Sequence, residues 1–186
     1  MLGSAVEQVL RESGVDVLTA SRTQGVRFDG EELGSAELIA ATGLGAGDYI
    51  VNCVGLTKAR IDESSRTSRD LAVKLNTEFP SNLAAAAEQG GIRVVQVATD
   101  CVFSGTTGNY SETSGHDALD VYGKTKSLGE VPSENVMHLR CSLVGPEIGR
   151  SSLFFEWIRR QPEGAKISGY TNHIWNGLSS RAFGKV

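Results

Sequence analysis

The sequence predicts an α/β fold, in which parallel strands form a doubly wound sheet with helices packed on both faces. Short apolar runs alternate along the 186 residues with longer segments whose apolar residues recur at helical spacing. The 22 glycines, against only four prolines, suit frequent turns between these elements. Because each pair of parallel strands needs a covering crossover, this alternation favours a parallel sheet.

Five apolar or β-branched runs predict strands. We place them at residues 15–20, 26–29, 49–54, 93–98 and 136–140. In open sheets of this kind, ligands bind beyond the carboxyl ends of the strands. The residues that follow Ala20, Val54, Ala98 and Arg140 are therefore the first candidates for a functional site.

Helical spacing predicts the elements between these strands. One helix ends near Gly14, and four more are expected at residues 33–43, 69–89, 120–130 and 153–159. Pro80 is expected to bend the helix over 69–89, and Gly90 and Gly91 to end it, since proline and glycine interrupt helical hydrogen bonding in these ways.

Composition excludes several classes of protein. A hydrophobic fraction of 40% with 22% charged residues argues against disorder. The net charge of -4 gives no electrostatic reason to expect a nucleic-acid partner. No apolar run approaches the roughly 20 residues that cross a bilayer, and the first residues lack a leader pattern. We therefore predict a soluble, cytoplasmic protein without a nucleic-acid or membrane partner.

The cysteines and histidines indicate no special chemistry. Cys53, Cys101 and Cys141 are an odd number without C-x-x-C spacing, and each lies in an apolar or β-branched run. We expect three buried, reduced thiols. The three histidines form no cluster with cysteines or carboxylates at ligand spacing, so no metal site is predicted.

A tyrosine and a lysine stand four residues apart in the helix predicted over 120–130. This spacing puts Tyr122 and Lys126 on one helix face. A free tyrosine has a pKa near 10, and a neighbouring ammonium favours the phenolate, so we expect Lys126 to lower the pKa of Tyr122. Thr99, at the end of the strand over 93–98, adds a hydroxyl that suits a carbonyl oxygen. The three residues are candidate catalytic residues.

Three motifs in order carry a family resemblance. They are Val-Ala-Thr-Asp-Cys-Val-Phe at 97–103, Asp-Val-Tyr-Gly-Lys-Thr-Lys at 120–126 and Leu-Arg-Cys-Ser-Leu-Val-Gly-Pro at 139–146. Together they resemble the extended short-chain dehydrogenase/reductase superfamily, and within it the dTDP-4-dehydrorhamnose reductase-like sugar-nucleotide reductases. Asn-Cys-Val-Gly at 52–55 and Asn76 are similar to further motifs of that family.

The resemblance implies a Rossmann-type NAD(P)-binding domain and hydride transfer to a keto group on a nucleotide-linked sugar. Tyr122 would donate the proton, Lys126 would hold the nicotinamide ribose, and Thr99 would hydrogen-bond the substrate oxygen. Further cofactor-binding positions are implied at Gly3, Ser21, Arg22, Asp29, Asn52, Gly55 and Ser142. An arginine at position 22 suits a 2′-phosphate, so NADP(H) is favoured over NAD(H).

The amino-terminal end of the sequence departs from the family pattern. Superfamily members begin with a strand and a G-x-x-G-x-x-G turn, whereas this sequence matches only the end of that turn, with Gly3 in the place of the last glycine. Loss of that strand would leave its two neighbours unpaired. We expect an incomplete record of a longer protein; a gene start assigned at an internal methionine and a chain that folds differently are the alternatives.

Residues 1–150 are thus predicted to be an N-terminally incomplete NAD(P)-binding domain, and residues 151–186 the beginning of a substrate-binding region. Val102, Trp175 and Asn176 are implied as substrate contacts, and a core role for Trp175 is the alternative. The resemblance also allows a homodimer. Two other functions stay open: an NAD-dependent sugar-nucleotide epimerase or dehydratase, and a non-catalytic regulatory protein with the same fold.

Overall fold

A computed structural model describes residues 2–31, 34–146 and 154–186. Within these ranges no helix combines the length and the apolar content that crossing a membrane requires. Contacts divide the chain into two compact units, a larger unit over residues 18–140 and a smaller unit that joins residues 1–17 to 141–186. The functional boundary predicted near residue 150 stays a prediction.

The regular elements follow one another in the predicted alternation. The helices are α1 (Leu2–Glu12), α2 (Ser35–Thr42), α3 (Arg66–Val73), α4 (Phe79–Gln89), α5 (Val121–Leu128), α6 (Phe154–Arg159) and α7 (Ser180–Phe183). The strands are β1 (Ala20–Ser21), β2 (Val26–Arg27), β3 (Tyr49–Asn52), β4 (Arg93–Val97), β5 (Val136–Leu139), β6 (Leu143–Val144) and β7 (Leu178–Ser179). Residues 33 and 153, where two helices were predicted to begin, lie outside the described residues.

A three-stranded parallel sheet, in the order β3-β4-β5, forms the centre of the larger unit. Val95 of β4 pairs with Val51 on one side and with Met137 on the other. The hydrophobic core of this unit consists of Phe28, Leu38, Phe79, Leu83, Ala87, Ile92 and Val94. Three of its members recur at i, i+4 and i+8 along α4, so one stripe of that helix supplies much of the core. The α/β class and the parallel pairing are confirmed.

The strand predicted over residues 15–20 is wrong for most of its length. Only Ala20 and Ser21 form a strand, and β1 pairs in parallel with β2 alone among the described residues. Residues 15–19 have no ladder partner there, and the side chain of Leu18 is 54% exposed. An apolar run becomes a strand only where neighbouring backbone accepts its hydrogen bonds.

The long helix predicted over 69–89 begins earlier, at Arg66, and changes its hydrogen-bonding pattern midway. Residues 74–78 form a π-helical turn between α3 and α4. Pro80 follows at the start of α4, and it has no N–H to donate to the carbonyl of Asn76 four residues back. The π-helical turn, which is wider than an α-helical one, thus lies directly before the proline that interrupts the helical hydrogen bonding. Gly91, at φ 66°, then turns the chain into β4.

The smaller unit has its own core and its own two-stranded parallel sheet of β6 and β7. Val6 and Val9 of α1 are buried, as is Phe183 of α7. At the surface of the same helix pair, Arg181 Nη2 lies 2.6 Å from Glu12 Oε2.

The three cysteines, all among the described residues, form no disulfide. Cys53 and Cys141 are partly buried, but Cys101 is exposed, so the prediction of three buried thiols is wrong for Cys101. It lies in a single 3-10 turn over Asp100–Val102. Val102 takes the core position of that turn, which leaves the neighbouring side chain at the surface.

Candidate active site

Thr99, Tyr122 and Lys126 belong to two elements that meet at the carboxyl end of β4. Thr99 follows β4 and is buried, and its hydroxyl accepts a hydrogen bond from the Cys101 amide at 3.2 Å. Tyr122 stands in the first turn of α5, and Lys126 one turn later. The start of α5 packs closely on the 3-10 turn over Asp100–Val102, as a Cβ on Gly123 would collide with the carbonyl oxygen of Cys101.

The phenol of Tyr122 is held in its neutral form. Burial raises its pKa above the ordinary value, and a hydrogen bond with the side chain of Thr99 acts in the opposite direction. The negative groups at Asp100 and Asp120 raise the pKa further. The prediction that the pKa of Tyr122 is lowered is wrong for the described structure, since burial and the neighbouring negative groups raise it.

The ammonium of Lys126 is buried and is directed at the carboxyl end of β4. Its Nζ donates to the carbonyl oxygen of Val97 at 2.8 Å. Burial lowers its pKa, while the charge of Glu130 favours the protonated form. An ammonium carries three donors, so Lys126 retains hydrogen atoms for a further acceptor.

Two predicted cofactor residues, Asn52 as the last residue of β3 and Gly55 shortly after it, have different roles. Asn52 is buried, donates to Gln96 Oε1 at 2.7 Å and accepts from the Val54 amide at 2.9 Å. Its amide therefore holds the strand ends together. Gly55 is exposed, and a Cβ there would lie 3.9 Å from Lys126 Nζ. A Cβ at Gly55 would also lie only 3.3 Å from Asn76 Oδ1, so glycine lets the backbone pass close to both side chains.

Asn76 links this region to α5, a role that the family motif alone does not reveal. Its side chain is 1% exposed, and its Oδ1 accepts from the Leu56 amide at 2.8 Å. Its Nδ2 donates to the Leu56 carbonyl at 3.0 Å and to Thr125 Oγ1 at 3.2 Å. The π-helical turn directs this amide toward both the loop after β3 and the helix that carries Tyr122.

Asp120 and Lys58 are residues that the sequence analysis did not single out. Asp120 is the N-cap of α5, and its Oδ1 accepts from the Gly123 amide at 2.8 Å. Aspartate before a helical segment is a recognisable cap signal. Lys58 Nζ lies 2.8 Å from Asp120 Oδ2. No local pattern predicts that contact, since the two residues are 62 positions apart.

The side chains of the predicted cofactor residues Ser21 and Asp29, after β1 and β2, make short-range hydrogen bonds. Ser21 Oγ accepts from the Gln24 amide at 2.8 Å and donates to the Gln24 carbonyl at 2.9 Å. Arg22 is exposed within this turn. Asp29 Oδ1 accepts from the Glu31 amide at 3.0 Å. The turn thus displays the guanidinium to solvent.

The remaining predicted residues fall in the smaller unit, apart from Val102. Gly3 lies in the first turn of α1. Ser142 and Trp175 come together around Gly177, where a Cβ would collide with the Ser142 carbonyl and with the indole ring. Asn176 is exposed.

The structure does not support a substrate contact through the side chain of Val102. That side chain is fully buried, which leaves it no surface to present to a ligand. Its carbonyl accepts from the amides of Asp117 and Ala118, each at 3.1 Å. As for metals, the described part of the chain contains no group of three or more His, Cys, Asp or Glu that could hold an ion.

Comparison with known proteins identifies relatives of this chain. The dTDP-4-dehydrorhamnose reductase of Mycobacterium tuberculosis (strain CDC 1551 / Oshkosh) is 28% identical over 134 residues, which are 69% of this chain and 41% of the relative. Methionine adenosyltransferase 2 subunit beta of Xenopus tropicalis is 32% identical over 135 residues, which are 70% of this chain and 39% of the relative. The chain therefore spans about two fifths of these relatives.

A solved structure supports the fold. The crystal structure of a hypothetical dTDP-4-dehydrorhamnose reductase from Sulfolobus tokodaii superposes with a TM-score of 0.80 at 21% identity, covering 99% of this chain and 66% of that one. A family model described as "RmlD substrate binding domain" matches residues 1–146. Since that match covers most of the 186 residues, the chain belongs to the RmlD substrate binding domain family.

Proposed function

We propose that the protein reduces a keto group on a nucleotide-linked sugar with NADPH, and that Tyr122 is its proton donor. The observation that carries the proposal is the meeting of Thr99, Tyr122 and Lys126 at the carboxyl end of β4. A phenol hydrogen-bonded to a threonine, with a buried ammonium one turn along its helix, suits reduction of a carbonyl. The names of the reductase relatives support the same reaction.

The described residues fit the ribose side of a nicotinamide cofactor. Gly55 adds no side chain next to Lys126 Nζ, and that ammonium has two further hydrogen atoms that can be donated to ribose hydroxyls. When bound, the reduced cofactor supplies the hydride. Arg22 supports NADPH over NADH, because an exposed guanidinium at the end of β1 matches a 2′-phosphate.

Each of the three residues has a distinct part in this proposal. Thr99 orients the substrate carbonyl, and Lys126 holds the ribose. Tyr122 delivers a proton to the developing alkoxide. The phenol is protonated at neutral pH, as a general acid must be, and its raised pKa makes it a weaker acid than a free tyrosine.

Substitution of the phenol tests the proposal. We expect Tyr122→Phe to lower kcat by roughly 10²- to 10⁴-fold, the usual contribution of a general acid. NADPH oxidation would be followed with dTDP-4-dehydrorhamnose and with other 4-keto nucleotide sugars. Tyr170→Phe is the matched control, since Tyr170 is 88% exposed. Near-normal turnover in Tyr122→Phe, with an unchanged circular dichroism spectrum, would reject the assignment.

A second candidate is a non-catalytic regulatory role. It is favoured by the relative named as a subunit, methionine adenosyltransferase 2 subunit beta, at 32% identity. Titration of NADPH fluorescence discriminates between the two. Binding followed by turnover supports the reductase, whereas no binding at millimolar NADPH leaves only the regulatory role.

A further inference from the structure

We propose that Lys58 is a positioning residue for Tyr122, acting through its ion pair with Asp120 at the start of α5. The inference rests on the proposed function, since it assigns Tyr122 as the proton donor. It deepens that function by placing control of the donor in the loop after β3, on a residue whose ion pair is with the helix cap.

The carboxylate of Asp120 joins the helix to the lysine. Its Oδ1 accepts from the Gly123 amide at 2.8 Å, and its Oδ2 receives Lys58 Nζ at 2.8 Å. Tyr122 lies between the cap and that amide, in the first helical turn. Any movement of the Asp120 side chain therefore moves or releases the turn that carries the phenol.

A second contact joins the same two segments. The backbone amide of Val121 donates to Glu63 Oε1 at 3.1 Å. An amide at the start of a helix has no partner within it, so this carboxylate satisfies an otherwise unpaired donor. Lys58 and Glu63 thus bind neighbouring positions of the helix start from either end of one loop.

The charges around Tyr122 show why the ion pair matters to the phenol. Asp100 and Cys101, from the turn after β4, and Asp120, from the helix cap, each raise the pKa of Tyr122. α5 itself carries two cations, the exposed Lys124 and the buried Lys126. Lys58 is paired with Asp120, so its removal would leave that carboxylate without its ion-pair partner.

The pKa values of the pair agree with this coupling. The hydrogen bond to Asp120 raises the pKa of Lys58. Burial works against ionisation of Asp120, but the Gly123 amide and Lys58 together lower its pKa. Because the Lys58 side chain is 65% exposed, the pair contributes little to folding. Its effect is therefore expected on the tyrosine rather than on the fold.

Kinetics give the first test. We expect Lys58→Met to lower kcat for dTDP-4-dehydrorhamnose about tenfold, since a small displacement of a reacting group is costly, with the KM for NADPH changed by less than about twofold. Lys58→Arg keeps the charge and restores kcat. Lys124→Met is the matched control, because Lys124 is an exposed lysine of the same helix.

Titration of the phenol gives a readout that needs no turnover. The alkaline rise in absorbance near 295 nm, taken as the difference from the Tyr122→Phe protein, reports Tyr122 alone. We expect the midpoint to move up in Lys58→Met, to stay in Lys58→Arg and to move down in Asp120→Asn. The double variant Lys58→Met with Asp120→Asn should match Asp120→Asn, because the lysine acts through that carboxylate.

The outcomes separate the two proposals. If the unaltered protein reduces no 4-keto nucleotide sugar, the proposed function fails, while the titration still decides the role of Lys58. A midpoint and a kcat that are the same in Lys58→Met as in the unaltered protein overturn the inference. So does a double variant whose midpoint differs from that of Asp120→Asn.

Discussion

The side chains at the ends of β3 and β4 make contacts between distant parts of the chain, whereas the side chain of Ser21 at the end of β1 bonds only within its own turn. Asn76 reaches Leu56 and Thr125, which are 20 and 49 residues away. The Ser21 hydroxyl, by contrast, bonds only within three residues, and Arg22 is exposed beside it.

The difference matches the work proposed for each region. A proton donor needs a fixed position, because misplacement of a reacting group is costly in rate. Recognition of a cofactor phosphate by an exposed guanidinium needs charge and reach, and tolerates a mobile side chain. Substitutions among the residues that make these long-range hydrogen bonds should therefore affect stability and turnover, while substitutions in the β1 turn should affect the preference between NADPH and NADH.

The largest loss of stability is expected in the region at the ends of β3 and β4, at a position where packing leaves no room for an added side chain. Gly129→Ala places a Cβ against the carbonyl oxygen of Asn76, and this overlap is expected to cost about 1–3 kcal/mol of unfolding free energy. Urea unfolding followed by circular dichroism measures it.

Gly115→Ala is the matched control, since a Cβ at that position would meet nothing within 4 Å and the backbone there needs no glycine. A Gly129→Ala protein as stable as Gly115→Ala would show that the contact between α5 and the π-helical turn is not tight.

The β1 turn should determine cofactor preference without affecting the fold. We expect Arg22→Ala to weaken NADPH binding about tenfold, or about 1.4 kcal/mol, through loss of the phosphate contact, and to leave NADH binding unchanged. Fluorescence titration with both cofactors measures this. Arg66→Ala, at an exposed arginine of α3, is the control. An equal loss for both cofactors would contradict a phosphate-specific role.

The smallest effect is expected at Ser21. Its hydroxyl holds an exposed local turn, so Ser21→Ala should change the unfolding free energy by less than about 1 kcal/mol. Cofactor affinity should change less than in Arg22→Ala. A larger loss of stability would mean that the β1 turn is as strongly coupled to the core as the ends of β3 and β4.

Local patterns predicted most of the elements correctly. The strands over 49–52, 93–97 and 136–139 lie within the predicted runs, and α5 lies within the predicted helix. The order of Thr99, Tyr122 and Lys126 also follows from sequence motifs. The run at 15–19 was predicted wrongly, because apolar character does not supply a ladder partner.

Other features of the site have no local signal. The contact between Lys58 and Asp120 joins residues 62 positions apart. Cys101 is exposed because Val102 takes the buried position of their 3-10 turn, and the sequence does not show which of the two does so. The direction of the Tyr122 pKa shift was also predicted wrongly. Helical spacing indicates a neighbouring ammonium, but it carries no information on how deeply the phenol is buried.

The sequence by itself determined the alternation of strands and helices, the family and the residue types at the strand ends, because periodicity and motifs are local properties. Only the tertiary structure decided which of those residues make long-range hydrogen bonds, which are exposed and in which direction their pKa values shift. The reason is physical: hydrogen bonds between distant segments, burial and the fields of neighbouring charges exist only once the chain has brought those segments together.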